Sequence, residues 1–293
     1  MIRKSKLNII LFILGLMAVG AMNTSQAQIL TPEIVVEMKS VTSFAIQPQG
    51  DYVAYTLRMQ RGPDGKPGGS YSEIWVVSTK TREAKQYTSQ PNSASSPAWT
   101  PDGSKITFLS KKQSFDENTQ VYAIPLNGGE ARKLSHASGN IFSYAISPDG
   151  KMLAYRMRDT EEKEIKEAKK KGFDQKVIDT WTTVTRIHVE NLANGKSRLV
   201  TEDDVHVVNF SWSPDGQNII YRATNRPFTD DGYMYTDNYT VSAKGGKGKL
   251  VFDTEGKLGD PSYSPDGKKI AWLGATSFND PATGSLFVID ASG

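Results

Sequence analysis

The chain of 293 residues contains no cysteine. Disulfide frameworks, thiol nucleophiles and lipid attachment at a cysteine beside a cleavage site are therefore excluded. Histidine is scarce: the three copies, His136, His188 and His206, lie far apart in sequence, so no shared metal site and no other cofactor is expected. The motifs of catalysis are missing as well. There is no G-x-S-x-G elbow, no H-E-x-x-H and no Walker loop, and Gly245-Gly246-Lys247-Gly248-Lys249 reads as a hairpin turn rather than a phosphate cradle. Charge of one sign is lacking too, with 35 Lys and Arg against 32 Asp and Glu. Part of the small excess sits at the start, in Arg3, Lys4 and Lys6, which leaves no basic stripe for nucleic acid.

Long apolar runs are limited to one, residues 9–22. Behind its basic start it reads as a secretory signal over residues 1–27, cut near Ala27, which implies an exported chain, periplasmic or extracellular. A membrane anchor is the alternative. The run is short for a span and contains Gly15 and Gly20, so no stable anchor is expected.

What the chain has in quantity is glycine and proline, 25 and 14, and they recur in one phrase. Ser213-Pro214-Asp215-Gly216 is echoed by Gln47-Pro48-Gln49-Gly50, Thr100-Pro101-Asp102-Gly103, Ser147-Pro148-Asp149-Gly150 and Ser264-Pro265-Asp266-Gly267. A large apolar residue stands two before each proline: Ile46, Trp99, Ile146, Trp212, Tyr263. Val53, Ile106, Leu153, Ile219 or Ile270 follows five after it, and Tyr55, Phe108, Tyr155, Tyr221 or Trp272 seven after it. Proline presets the backbone for a type I turn and glycine takes the left-handed position, which makes a bulged β-hairpin. Alternate residues of the outgoing strand then share one buried face.

A second hairpin follows each first one, as in Glu73-Ile74-Trp75-Val76-Val77 and then Ala84-Lys85-Gln86-Tyr87. Each unit is thus a four-stranded meander, and the units recur near the ~40 to 50 residue period of propeller blades. The fold class is all-β, a β-propeller with five recognisable repeats, the last incomplete. The blades fall around residues 41–90, 91–135, 140–201, 206–253 and 258–293, within a partial propeller spanning 28–293. Thr31 and Pro32 mark the start of a short helix ahead of the repeats.

In such a meander the first and third turns lie on one side, and the second and inter-blade connections on the other. All the long connections here are second ones: residues 56–72, 156–186 and 222–238. The middle one carries a polar helix, with Glu162–Lys166 and Glu167–Lys171 spaced for pairing and Gly172 to end it. The last one mixes carboxylates with aromatics in Asp230, Asp231, Tyr233 and Tyr235, without the spacing of a calcium loop. These four, with Trp181, the one tryptophan of the mature chain inside an insertion, are the candidate substrate-binding residues, on loops where binding commonly evolves. Trp75, Trp99, Trp212 and Trp272 occupy repeat positions and are expected in the core.

Leu30-Thr31-Pro32-Glu33, the repeated hairpins and the insertion from Lys169-Lys170-Lys171-Gly172-Phe173-Asp174 to Thr185-Arg186-Ile187 resemble the N-terminal propeller of the prolyl oligopeptidase family of serine peptidases. The acylaminoacyl-peptidase and dipeptidyl-peptidase branch is the nearest in pattern. TolB-like propellers share the hairpin but not the insertion, and remain the alternative. The resemblance implies a propeller that admits short peptides to a C-terminal α/β-hydrolase domain bearing Ser, Asp and His. No such domain falls within these residues, so no triad residue can be assigned and the chain alone is expected to be inactive. Glu161-Glu162 does not match the paired glutamates that hold a substrate amine in some relatives.

Overall fold

The repeated phrase closes its hairpin through side chains as well as backbone. In a computed structural model, which describes residues 30–62, 68–111, 117–159, 163–175, 180, 183–201, 205–252, 256–277 and 284–292, Ser213 donates its hydroxyl to Asp215 Oδ1 at 2.5 Å. The same hydroxyl oxygen accepts from Asn218 N–H at 2.9 Å, and Asp215 Oδ1 accepts from Gln217 N–H at 2.9 Å. Thr100 and Asp102, Ser147 and Asp149, and Ser264 and Asp266 repeat the hydroxyl–carboxylate bond at 2.5, 2.6 and 2.6 Å. Glycine is required because the backbone there is left-handed, with φ between 68° and 78° in all five turns. The first turn departs from the others. Gln47 and Gln49 reach across instead, donating to the carbonyls of Gly103 and Asp102 in the next turn.

The strands these turns join form five antiparallel sheets. The first holds β1 (Ser40–Ile46), β2 (Tyr52–Met59), β3 (Tyr71–Ser78) and β4 (Ala84–Gln86), and the second β5 (Ala94–Trp99), β6 (Lys105–Ser110), β7 (Gln120–Pro125) and β8 (Arg132–Lys133). The third holds β9 (Ile141–Ile146), β10 (Met152–Arg158), β11 (Thr185–Asn191) and β12 (Ser197–Leu199). The fourth is β13 (His206–Trp212), β14 (Asn218–Thr224), β15 (Asp237–Ser242) and β16 (Lys249–Phe252). The fifth, among the described residues, is β17 (Ser262–Tyr263), β18 (Lys269–Gly274) and β19 (Ser285–Asp290). Every sheet is a meander in chain order, as the repeat requires.

One backbone bond fixes the sidedness of all five. The third turn donates an N–H to the residue just past the first turn: Thr79 to Asp51, Leu126 to Ser104, Leu192 to Lys151, Ala243 to Gln217 and Ala291 to Lys268, all at 2.7–3.0 Å. First and third turns therefore meet on one side, and the second connections emerge on the other. Those connections are shorter than the sequence suggests, because β2, β10 and β14 run on to Met59, Arg158 and Thr224.

The sheets stack in chain order through four apolar layers. Ile106 and Phe108 pack on Ala54, Ile74 and Val76 of the preceding sheet, and Leu153 and Tyr155 on Leu109 and Val121. Ile219 and Tyr221 pack on Ala154, Ile187 and Val189, while Ile270 and Trp272 pack on Ile220. From the second sheet on, the two marked positions after the proline thus face the sheet before. Trp99 and Trp212 add a directional tie, donating Nε1–H to the carbonyls of Ala45 and Ala145 in the preceding first strands at 3.0 and 3.1 Å. Trp99 and Trp272 are buried, whereas Trp75 and Trp212 are only half-buried, a correction to the expectation that all four are core. The outer faces of the stack are exposed and apolar. Phe44 and Ile46 of the first sheet are 68% and 62% exposed, and Leu286 and Val288 of the fifth are 68% and 51% exposed.

Two of the expected helices are present. Helix α1 (Pro32–Glu37) is capped by Thr31, whose hydroxyl accepts from Ile34 N–H at 3.4 Å. Helix α2 (Lys163–Lys170) ends where Phe173 N–H bonds to Ala168 O and Gly172 takes a φ of 89°. Glu167 pairs with Lys170 at 2.8 Å rather than with Lys171, and Glu162 lies outside the described residues, as do Trp181 and residues 1–27, the expected signal.

Candidate functional site

Three of the first strands carry a bulge at the same place. Thr42, Phe142 and Val208, each six residues before its proline, have no partner on the neighbouring strand. A bulge re-aims its side chain out of the alternating pattern, and bulges are over-represented beside binding sites. Opposite the last two, eight residues after the prolines, stand Arg156 and Arg222. Arg156 reaches the next sheet and donates Nη1–H to the carbonyls of Val207 and Val208, at 3.0 Å for Val207. Its guanidinium carbon and that of Arg158 lie 5.9 and 5.8 Å from the ring centroid of Phe142, within cation–π range.

Arg222 organises the next position along. Its Nε donates to Asp260 Oδ1 at 2.9 Å, while Asn209 Nδ2 donates to Asp260 Oδ2 at 2.6 Å. Its Nη1 donates at 3.2 Å to the carbonyl of Gly232 in α3 (Thr229–Met234), a short helix inside the third long connection. Arg226 holds the same helix, donating Nε–H and Nη2–H to Asp231 Oδ1 at 3.0 and 2.7 Å.

Beneath α3 lies a cavity of about 550 Å³ on the side of the second connections. Its polar wall is Arg222, His206, Lys257, Thr229 and Tyr233; Val208, Pro227, Phe228 and Leu258 supply the apolar wall. His206 Nδ1 accepts from the backbone N–H of Thr185 at 3.2 Å, so in the neutral ring the proton rests on Nε2. Burial, followed by the charges of Arg156 and Arg158, pushes its pKa down to about 4, so the imidazole is a neutral donor at pH 7. The site thus combines a neutral donor, a guanidinium, an ammonium and hydroxyls around an apolar floor. Among the described residues its lining includes no nucleophile–base pair, and no cluster of three or more potential metal ligands occurs.

The sequence-derived residues divide in this setting. Tyr233 lines the cavity and is 65% exposed; Tyr235, 55% exposed, ends the helix beside it. Asp230 is exposed in the first turn. Asp231 is 5% exposed and turned inward to Arg226, so its carboxylate tethers the helix. Sequence reasoning passed over Arg222, His206 and Lys257. The available signal was the repeat itself, since aligning the units puts Arg156 and Arg222 in one slot where the other units have Thr56, Leu109 and Leu273.

Antiparallel meander sheets that repeat along the chain and stack in chain order define a β-propeller. The TolB beta propeller domain, PD40, matches residues 26–184, and the chain belongs to that family. Dipeptidyl-peptidase 5 of Porphyromonas gingivalis is 28% identical over 287 residues, covering 85% of this chain and 39% of the peptidase. The uncharacterized peptidase YuxL of Bacillus subtilis is 26% identical over 257 residues, covering 87% of this chain and 33% of that protein. The chain therefore spans well under half the length of these curated relatives. Among solved structures, the acylaminoacyl peptidase of Pyrococcus horikoshii superposes with a TM-score of 0.62 at 17% identity, covering 87% of this chain and 38% of that one, a likeness of fold.

Proposed function

We propose that this chain is the substrate-selecting propeller of an exported serine peptidase that cleaves short peptides, acting with an α/β-hydrolase domain that carries the catalytic triad. The observation that carries the reading is the similarity along 85% of the chain to a dipeptidyl-peptidase more than twice its length. The cavity supports it. About 550 Å³ falls within the range of small-ligand pockets, and its mix of apolar floor and donor wall suits a few peptide residues. Selection is by size and by orientation: the rigid sheets hold the second connections, and those connections position the peptide for acyl transfer elsewhere. The partners in this reading are short peptides and the hydrolase domain, and the signal over residues 1–27 directs the protein out of the cytoplasm.

The test is a serine-reactive fluorophosphonate probe, with dipeptidyl and acyl-aminoacyl chromogenic substrates, applied to the product of the whole coding sequence and to this chain. Labelling and hydrolysis are expected from the former and not from the latter. A coding sequence that adds blades but no G-x-S-x-G segment sinks the idea. The second reading, a non-enzymatic TolB-like propeller that binds proteins, is favoured by the family itself and requires stable complexes without labelling.

A further inference from the structure

A smaller cavity, of about 200 Å³, lies between the first and second sheets and shares no residue with the one beneath α3. Its buried end is aromatic. Phe108 and Tyr122, both buried, are partners across β6 and β7, with ring centroids 6.1 Å apart and planes 17° from parallel. Tyr87 adds a third ring from the connection that leaves β4, and Ile124 closes the apolar end. The open end is polar, with Ser89 and Gln90 exposed on the same connection. That connection is pinned on both sides of them. Tyr87 donates its hydroxyl to the carbonyl of Leu126, which ties the first sheet's outgoing chain to the third turn of the second sheet, and Thr88 Oγ1 accepts from Ile74 N–H at 2.8 Å. Further on, the carbonyl of Ser93 accepts from the Ser110 hydroxyl at 2.8 Å, and the Ser93 hydroxyl oxygen accepts from Ser72 N–H at 3.0 Å. The walls are therefore set by hydrogen bonds of the fold itself, and a ligand that fits them meets little cost of ordering.

Size and lining narrow the ligand. An apolar cavity of about 150 Å³ holds one benzene molecule, whereas pockets for drug-sized ligands start at roughly 300 Å³. At about 200 Å³ this cavity takes one ring and a small substituent. Aromatic walls favour an aromatic guest over an aliphatic one of equal size, because offset and edge-to-face ring contacts add to the burial of area. At the open end the hydroxyl of Ser89 and the amide of Gln90 supply both donors and an acceptor, which suits a hydroxyl on the guest. We propose that this cavity is a binding site for a single aromatic ring with a hydrogen-bonding substituent, of the phenol kind. The ring has two possible sources, a free small phenol and the side chain of a tyrosine in a peptide. The site stands independently of the peptide-selecting reading above.

Saturation-transfer NMR titrations of the chain with three probes separate the outcomes: p-cresol, its saturated counterpart methylcyclohexanol, and N-acetyl-tyrosine amide. p-Cresol is expected to bind about two- to tenfold more tightly than methylcyclohexanol, which matches it in size and hydroxyl but has no aromatic ring. Equal strength for the tyrosine amide assigns tyrosyl side chains as ligands too, whereas weaker binding restricts the site to free phenols; both outcomes uphold the site. Ala131→Leu enlarges a side chain in the cavity wall and should weaken p-cresol by about tenfold or more. Because Ala131 also packs against the core between the two sheets, Ser89→Phe provides a second variant, which plugs the open end from an exposed position. It should remove p-cresol binding at an unchanged melting temperature. The proposal is overturned if p-cresol does not bind, if methylcyclohexanol binds as tightly, or if binding survives both variants. None of these results touches the probe-labelling experiment, which judges the peptidase reading separately.

Discussion

His206 stands among cations and is built into the cavity wall as a neutral ring. Burial comes first among the causes, and the positive charges of Arg156 and Arg158 add to it, taking its pKa down to about 4. An unfolded chain has no such environment, so its histidine takes up a proton near the ordinary value of 6.5. Between these values the unfolded state binds the proton that the folded state refuses. The contribution of His206 to stability is therefore full above about pH 6.5 and is lost as the pH falls toward 4. Melting temperatures followed from pH 7.5 to 4 should fall in that window, and His206→Asn should flatten part of the fall. A variant that melts with the same pH profile as the parent would show that this ring is not the group responsible.

Helix α3 shows what an element can hide from its sequence. Asp230, Asp231, Tyr233 and Tyr235 read as one mixed binding loop, and the aromatic half of that reading lies at or next to the cavity. The acidic half does not, because the helical turn sends Asp231 inward to a guanidinium five residues earlier while Asp230 stays outside. Composition alone cannot distinguish a carboxylate that waits for a ligand from one already paired. By contrast, the hairpins were legible as bulged turns, since serine, proline and glycine each impose a local geometry without help from distant residues, while the hydroxyl–carboxylate bond that closes them came only with the structure. The cavity needed long-range information: Arg222, Lys257 and His206 come together only through sheet register and inter-sheet packing. The tether makes its own prediction. Asp231→Asn or Arg226→Met should each lower stability by about 1–2 kcal/mol in urea unfolding, and the double variant should cost less than the two added together. Additive losses would mean that the two side chains do not act as a pair.

For the molecule as a whole, the outer faces matter most. One presents Phe44 and Ile46, the other Leu286 and Val288, and each is a sheet face of the kind that elsewhere in the stack is covered. The two faces differ, so copies of this chain that meet through both would pack head-to-tail rather than self-complementarily. Sedimentation velocity on the chain should therefore show association that grows with concentration. Phe44→Asp and Leu286→Asp should each weaken it by about tenfold or more, since a buried aspartate at a contact centre has no partner. A sharp monomer at all concentrations would indicate that these faces do not meet.

The stack also has a direction in time. Because the marked side chains of the second to fifth sheets pack on the sheet before, a chain delivered N-terminus first from a ribosome or a translocation pore completes its cores in the order of synthesis. Each arriving hairpin seals the sheet that preceded it and leaves only its own far side uncovered. Apart from the first sheet's outer face with Phe44 and Ile46, the apolar surface exposed during delivery is then no larger than one sheet at the growing end, and it moves forward with the chain.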